Sequence, residues 1–206
     1  MAIADGLTTT CTNIQSSGGI QTVFIREWNS TGTPDQIATL GTGTITSIAD
    51  SGGTNSTWGV YETKIETPVL SVTGASVGNA NTYECNLTFN LPQLDLARRN
   101  SITDLQGKCL QVMMLDTNGT YFVIGISGTL TGGDGGLDLA AASHIGTRPQ
   151  TFARLSAVEG GTGAAFSDET GLNVTLTCTQ YELPRTYVAS GAAVSISATG
   201  LIATVS

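Results

Sequence analysis

The side chains able to do covalent or acid–base chemistry are few and far apart in this chain. One histidine (His144) and two lysines (Lys64, Lys108) occur in 206 residues. General acid–base and nucleophilic catalysis draw mainly on His, Cys, Lys and carboxylates that converge on one point. His144 lies in a Ser-His-Ile-Gly run with no acidic neighbour in sequence, which reads as a surface or structural histidine rather than a general base. Asp168-Glu169 is an acidic pair, but adjacent residues of a turn seldom point at one spot, so a solvated turn is expected. Gly132-Gly-Asp-Gly-Gly-Leu-Asp138 approximates a calcium-binding glycine/aspartate repeat. Its last Asp falls one place late and there is a single copy, whereas such sites need stacked repeats, so a plain loop is expected. The chain has no GxSxG elbow, P-loop, HExxH or dinucleotide fingerprint. It is therefore read as a non-enzyme with no cofactor and no metal.

The four cysteines, Cys11, Cys85, Cys109 and Cys178, are widely spaced, with no CxxC pair and no histidine at zinc-ligand spacing. Cys85 and Cys178 each fall on the apolar side of an alternating pattern. They are expected to be buried free thiols, with a disulfide between them as the alternative. The charged fraction, 12%, is about half the usual one, and the net charge is −8. Low charge with 40% hydrophobic residues argues against disorder and suits a surface covered by neighbours. No basic cluster exceeds Arg98-Arg99, so a phosphate-gripping groove is not expected. Acidity repels nucleic acid, which leaves room only for DNA that passes without sticking. The first residues lack a basic region and an apolar run, so no signal peptide is expected, and no stretch is long enough for a membrane span.

These residues must be positioned by a mainly β chain, expected to be a β-sandwich or barrel-like single domain over 1–206. One flanking helix is expected at about 91–105, with an N-terminal arm at 1–19 and a C-terminal extension at 186–206. Strands are expected at 20–28, 44–48, 58–65, 69–73, 109–115, 120–127, 137–141 and 152–158. Tyr83, Cys85, Leu87 and Phe89 alternate against Glu84, Asn86 and Thr88, the pattern of a half-buried strand. Asn90 offers an N-cap, with Pro92 in the first helical turn, Asp95 near the positive end of the helix dipole, and Gly107 as the stop. Asp116-Thr-Asn-Gly119 is a hairpin signal. Leu172, Val174, Leu176 and Cys178 alternate against threonines in a strand closed by Pro184. Gly160 to Gly163 reads as a flexible turn. The apolar tail after Pro184 is one or two more strands, or an arm lying on a neighbouring subunit.

One order of elements stands out. An alternating strand ends in Leu91-Pro92, a helix carries Ala97-Arg-Arg-Asn100, and a strand leads to Asp116-Thr-Asn-Gly-Thr-Tyr121-Phe-Val-Ile-Gly125. Later come Asp168-Glu-Thr-Gly-Leu-Asn-Val-Thr-Leu-Thr177, Glu182 and Pro184. This layout resembles that of small virion proteins of tailed bacteriophages, tail tube proteins in particular. The resemblance implies a β-sandwich with one helix, stacked in hexameric rings around a DNA channel and joined to copies of itself and other virion proteins. It places the chain in the virion, made in the bacterial host cytoplasm. It also implies that a long loop or hairpin, for which Gly41 to Val72 is the candidate, reaches the next ring. Arg98, Arg99, Trp58, Val194 and Ile196 are the candidate assembly contacts. The competing expectations are a capsid decoration, minor capsid or head–tail connector protein, and a carbohydrate-binding sandwich in which Trp28, Trp58 or Tyr121 stacks on sugar.

Overall fold

A computed structural model describes residues 19–27, 36–39, 44–49, 56–64, 66–77, 80–92, 95–126, 136–137, 152–161, 170–180, 182–188, 195–196 and 202–205. In chain order the elements are β1 (Ile20–Glu27), β2 (Gln36–Thr39), β3 (Thr44–Ala49), β4 (Ser56–Tyr61), β5 (Val69–Val77) and β6 (Ala80–Pro92). After these come α1 (Leu96–Asp104), β7 (Leu110–Asp116), β8 (Tyr121–Ile124), β9 (Gly136–Leu137) and β10 (Arg154–Gly161). The last are β11 (Gly171–Gln180), β12 (Arg185–Tyr187), β13 (Ser195–Ile196) and β14 (Ile202–Val205). They form a ten-stranded sheet, β13-β14-β4-β1-β7-β8-β12-β3-β2-β9, and a four-stranded sheet, β10-β11-β6-β5. The fold is mainly β and sandwich-like, with a single helix among the described residues, in agreement with the sequence pattern.

The smaller sheet follows directly from alternation. Cys85, Leu87, Phe89 and Leu91 of β6 are buried while Glu84 and Thr88 face out, because successive side chains of a strand point to opposite faces. Val174, Leu176 and Cys178 of β11 stand directly opposite Phe89, Leu87 and Cys85 in an antiparallel ladder unbroken from Gly171↔Pro92 to Gln180↔Tyr83. Val23 and Ile25 of β1, Val112 and Met114 of β7, and Ile124 of β8 close over them from the larger sheet, and Ile102 and Leu105 seal one end. Each such burial contributes about 1.5–3 kcal/mol before chain entropy is set against it.

The central strands of the larger sheet, β1 and β7, are buried on both faces. Leu110 to Met114 are all buried, so β7 reads as a continuous apolar run instead of an alternation. Its far face carries a second cluster of Phe24, Ile45, Trp58, Met113, Val123 and Tyr187. The Arg26 guanidinium lies 5.3 Å from the centre of the Trp58 ring, a cation–π contact. Gln111 is fully buried in this sheet, and its side-chain amide makes no hydrogen bond, a desolvation cost the apolar packing has to offset.

Two polar joints tie the sheets together. Leu110 and Ala153 exchange backbone hydrogen bonds of 2.9 Å each way, carrying the chain from one sheet to the other. The Gly125 N–H donates to Gln180 Oε1 at 2.9 Å, and Gln180 Nε2 donates to the Glu182 carbonyl at 3.3 Å. Gly125 has φ +81°, and a Cβ there would sit 2.5 Å from the Leu110 carbonyl oxygen, so only glycine fits.

Three expectations need correction. The helix begins at Leu96 and not near 91, because Leu91 and Pro92 complete the ladder with β11. Asn90 is held in that strand: its Nδ2 donates to Asn173 Oδ1 at 2.8 Å, and Asp95 serves as the N-cap instead. Within 41–72 the described residues form β3, β4 and the start of β5, all paired within the sheets, as the strands expected there require. Gly160 and Gly161 end a strand: a Cβ at Gly160 would meet the Gly171 carbonyl oxygen at 2.1 Å, so Gly160 permits close strand pairing. The described residues of the tail after Pro184 form further strands, one of the two expected outcomes: β12, β13 and β14 are built into the larger sheet, with β12 between β8 and β3. Residues 1–18, including Cys11, lie outside the described residues.

Replacing Gly125 with Ala should cost at least about 2 kcal/mol in urea unfolding, from a left-handed backbone plus a backbone clash. Deleting residues 186–206 should abolish soluble folded protein, because it removes buried Tyr187 and strips β14 from β4; near-UV circular dichroism and solubility check this.

Candidate assembly surface

Both outer strands of the four-stranded sheet have one edge without a partner strand among the described residues. β5 is nine residues long, Val-Leu-Ser-Val-Thr-Gly-Ala-Ser-Val, with no charge and no proline. It pairs with β6 in continuous register from Val69↔Thr88 to Val77↔Ala80, so no bulge bends its free edge away. Natural sheets blunt such edges with charge, proline or bulges, because a row of unpaired N–H and C=O groups is a template for another chain. β10, at the opposite end, carries Arg154 and Glu159 and a register irregularity between Leu155 and Ala157. Val69 on β5 and Val158 on β10 are among the large apolar side chains left exposed.

Beside the start of β5 an open apolar hollow of about 570 Å³ runs between the sheets, lined by Ile20, Leu70, Val72, Met114, Phe122 and Leu183. A smaller hollow of about 270 Å³ lies at the foot of α1 against Val60, Tyr61, Leu91 and Arg98. Burial pushes the Tyr61 hydroxyl up to about 12, with Asp104 adding in the same direction, so this phenol stays neutral and polar at physiological pH.

α1 presents most of its surface to solvent, and Ile102 is its buried residue. Asp95 Oδ1 accepts from the Arg98 backbone N–H at 2.7 Å, and its other oxygen pairs with the Arg98 guanidinium. The Arg98 backbone N–H, with help from the guanidinium charge, holds the Asp95 carboxyl below its usual range. Arg99 is exposed on the same helix. Among the described residues, no group of three or more His, Cys, Asp or Glu side chains is placed to hold a metal.

The structure sorts the sequence candidates. Arg98 and Arg99 lie on the exposed helix, near the outer end of the sandwich. Trp58 is corrected from assembly contact to core residue: it is fully buried against Phe24, Met113 and Arg26, and neither a neighbour nor a sugar can stack on it. Ile196 lies on β13, the outermost strand of the larger sheet beyond β14. Val194, Trp28, His144, Asp168 and Glu169 lie outside the described residues. Tyr121 packs edge-on against Tyr187 at 6.2 Å, which commits one side of its ring to the protein interior. The free edge of β5 was not singled out from sequence, although its signal was there: nine consecutive uncharged residues without proline.

The Asp95 carboxyl supports the helix above its unfolded pKa, and that support is lost as pH falls through the lower folded value. Carboxyl-detected NMR should therefore place the Asp95 midpoint below 3.8 in the folded protein and move it upward in Arg98→Ala. No family model matches the chain, and no curated protein matches its sequence.

Proposed function

We propose that this chain is a structural subunit of a tailed-phage virion that works by self-association, as a tail tube protein forming stacked, hexameric rings around a DNA channel. The observation that carries this reading is that both outer strands of the small sheet have an edge without a partner strand among the described residues, and that β5 is long, unbulged and uncharged. Joining the β5 edge of one copy to the β10 edge of the next is a heterologous, head-to-tail contact. Such contacts close into rings when the rotation permits and give filaments when it does not. Backbone hydrogen bonds supply that contact without any special side chain, which suits a chain with 12% charged residues.

The net charge of −8 supports the channel part of the proposal, since an acidic wall keeps DNA mobile instead of gripping it. In this reading the partners are copies of the chain and other virion proteins. Particles are built in the host cytoplasm, with no membrane involved. The exposed helix with Arg98 and Arg99 is then available for carboxylates on an adjacent subunit.

Ser71→Lys combined with Thr73→Lys tests the proposal, because both side chains are exposed on β5. The double variant should keep its unfolding free energy within about 0.5 kcal/mol of the parent, as surface substitutions usually do. Electron microscopy should show rings or tubes for the parent and dispersed subunits for the variant. Parent protein that stays monomeric at high concentration and binds only preformed heads points to a decoration role. Tubes formed equally well by the variant overturn the edge-pairing mechanism.

A further inference from the structure

Cys85 and Cys178 occupy one rung of the ladder between β6 and β11, the two inner strands of the four-stranded sheet. Both thiols are free and buried, and as directly opposed residues of one rung they project from the same face of the sheet. They are also far apart in sequence, so a bond between them would close a long loop. We infer that this pair is a redox site: the two thiols close into a reversible disulfide that staples β6 to β11.

Backbone geometry says what kind of bond this is. The Asn90 N–H donates to Thr67 Oγ1 at 3.3 Å, and the Asn90 carbonyl accepts from the Lys64 N–H at 2.9 Å. Both backbone groups of Asn90 therefore point away from β11, which makes Asn90↔Asn173 a non-hydrogen-bonded pair. Pair types alternate along an antiparallel ladder, so Cys85↔Cys178, five rungs away, is a hydrogen-bonded pair. The Cα atoms of such a pair stand about 5.5 Å apart, inside the span a disulfide bridges. Their Cβ atoms are farther apart than a relaxed disulfide prefers, roughly 5 Å against about 3.8 Å. Closing the bond draws the strands together, and a bond under such strain is readily reduced again.

The two thiols are also unequal. The hydrogen bond from Cys178 holds the Cys85 thiol below its usual range, while that bond and burial push Cys178 up. Cys178 Sγ also donates to Gln180 Oε1 at 3.8 Å, which keeps its proton in place and leaves Cys85 as the attacking sulfur and Cys178 as the resolving one. Burial favours a small oxidant, and a peroxide meets that requirement. The Cys85 thiolate attacks one peroxide oxygen and breaks the O–O bond, giving a sulfenic acid and hydroxide. Cys178 then attacks the Cys85 sulfur, the disulfide forms, and the sulfenic oxygen leaves as water with the Cys178 proton. The two sulfurs together lose two electrons, and the peroxide is reduced to water.

The inference does not rest on the assembly proposal and is tested on the full chain. Folded protein is treated with hydrogen peroxide, denatured, labelled with a maleimide and mapped by mass spectrometry. Cys85 and Cys178 should lose labelling together, a peptide linking them should appear, and dithiothreitol should restore both sites. The oxidised protein should unfold at a higher urea midpoint than the reduced one. In Cys178→Ser, dimedone should trap Cys85 as the sulfenic acid with no link formed. Full labelling at both positions, under conditions that consume the partly exposed Cys109, overturns the proposal, and so does oxidation of either sulfur without a link. Should the variant fail to fold, the wild-type map with and without dithiothreitol decides the matter.

Discussion

The pairing of β6 with β11 is the interaction on which the rest of the molecule depends. Ten residues of each strand meet without a break, and alternate rungs deliver Leu87, Phe89, Val174 and Leu176 into the space between the sheets. A slip of one residue would turn that set toward solvent and bring the threonines inward, so burial and register enforce each other. The same ladder sets the place of Gln180, whose amide oxygen reaches the Gly125 N–H of the facing sheet. It also explains why α1 starts late, since Asn90, Leu91 and Pro92 are already occupied by their partners across the ladder.

The two sheets divide the work. The larger one is buried on both faces at its central strands, with Trp58 and Phe24 on one side and Val23 and Met114 on the other. The smaller one has one wet face, carrying Thr88 and Thr175 side by side, and two outer strands that each have an edge without a partner strand among the described residues. Charge is placed sparingly and locally. Arg185 is almost wholly buried, and its guanidinium forks onto Glu182 at 2.9 Å through both Nε and a terminal nitrogen, a geometry that holds the approach to β12. Lys108 reaches Glu27 across the surface at 2.7 Å, joining the start of β7 to the end of β1.

Much of this was legible from residue order, and the misses have physical causes. β1, β6, β7 and β11 show a clear alternation or a pure apolar run, and the Asp116-Thr-Asn-Gly119 turn has the left-handed glycine its sequence announces, with φ +80°. The Cys85 and Cys178 thiols were expected to be buried and free, and they are. The helix start was misread because Asn90 and Pro92 are good helix-entry residues locally, while a ten-rung ladder outweighs local preference. Gly160 and Gly161 looked like a turn because flexibility and close strand approach leave the same mark in a sequence. Trp58 could not be placed from pattern alone, since an aromatic residue on a short strand suits an interior or an interface equally. The open edge of β5 is a property of topology, invisible until the strand order is known.

The position of β12 has a consequence for how the chain is made. This strand, Arg185–Tyr187, lies between β8 and β3 and pairs in parallel with β3, some 140 residues earlier. β14 likewise closes onto β4. On the ribosome, the larger sheet lacks an interior strand until residues 185–187 have emerged, whereas β5 and β6 emerge much sooner. Long-range closure is slow, and nascent sheets with bare borders are prone to wrong encounters. Completion of the larger sheet therefore waits on a strand made long after the ones it joins.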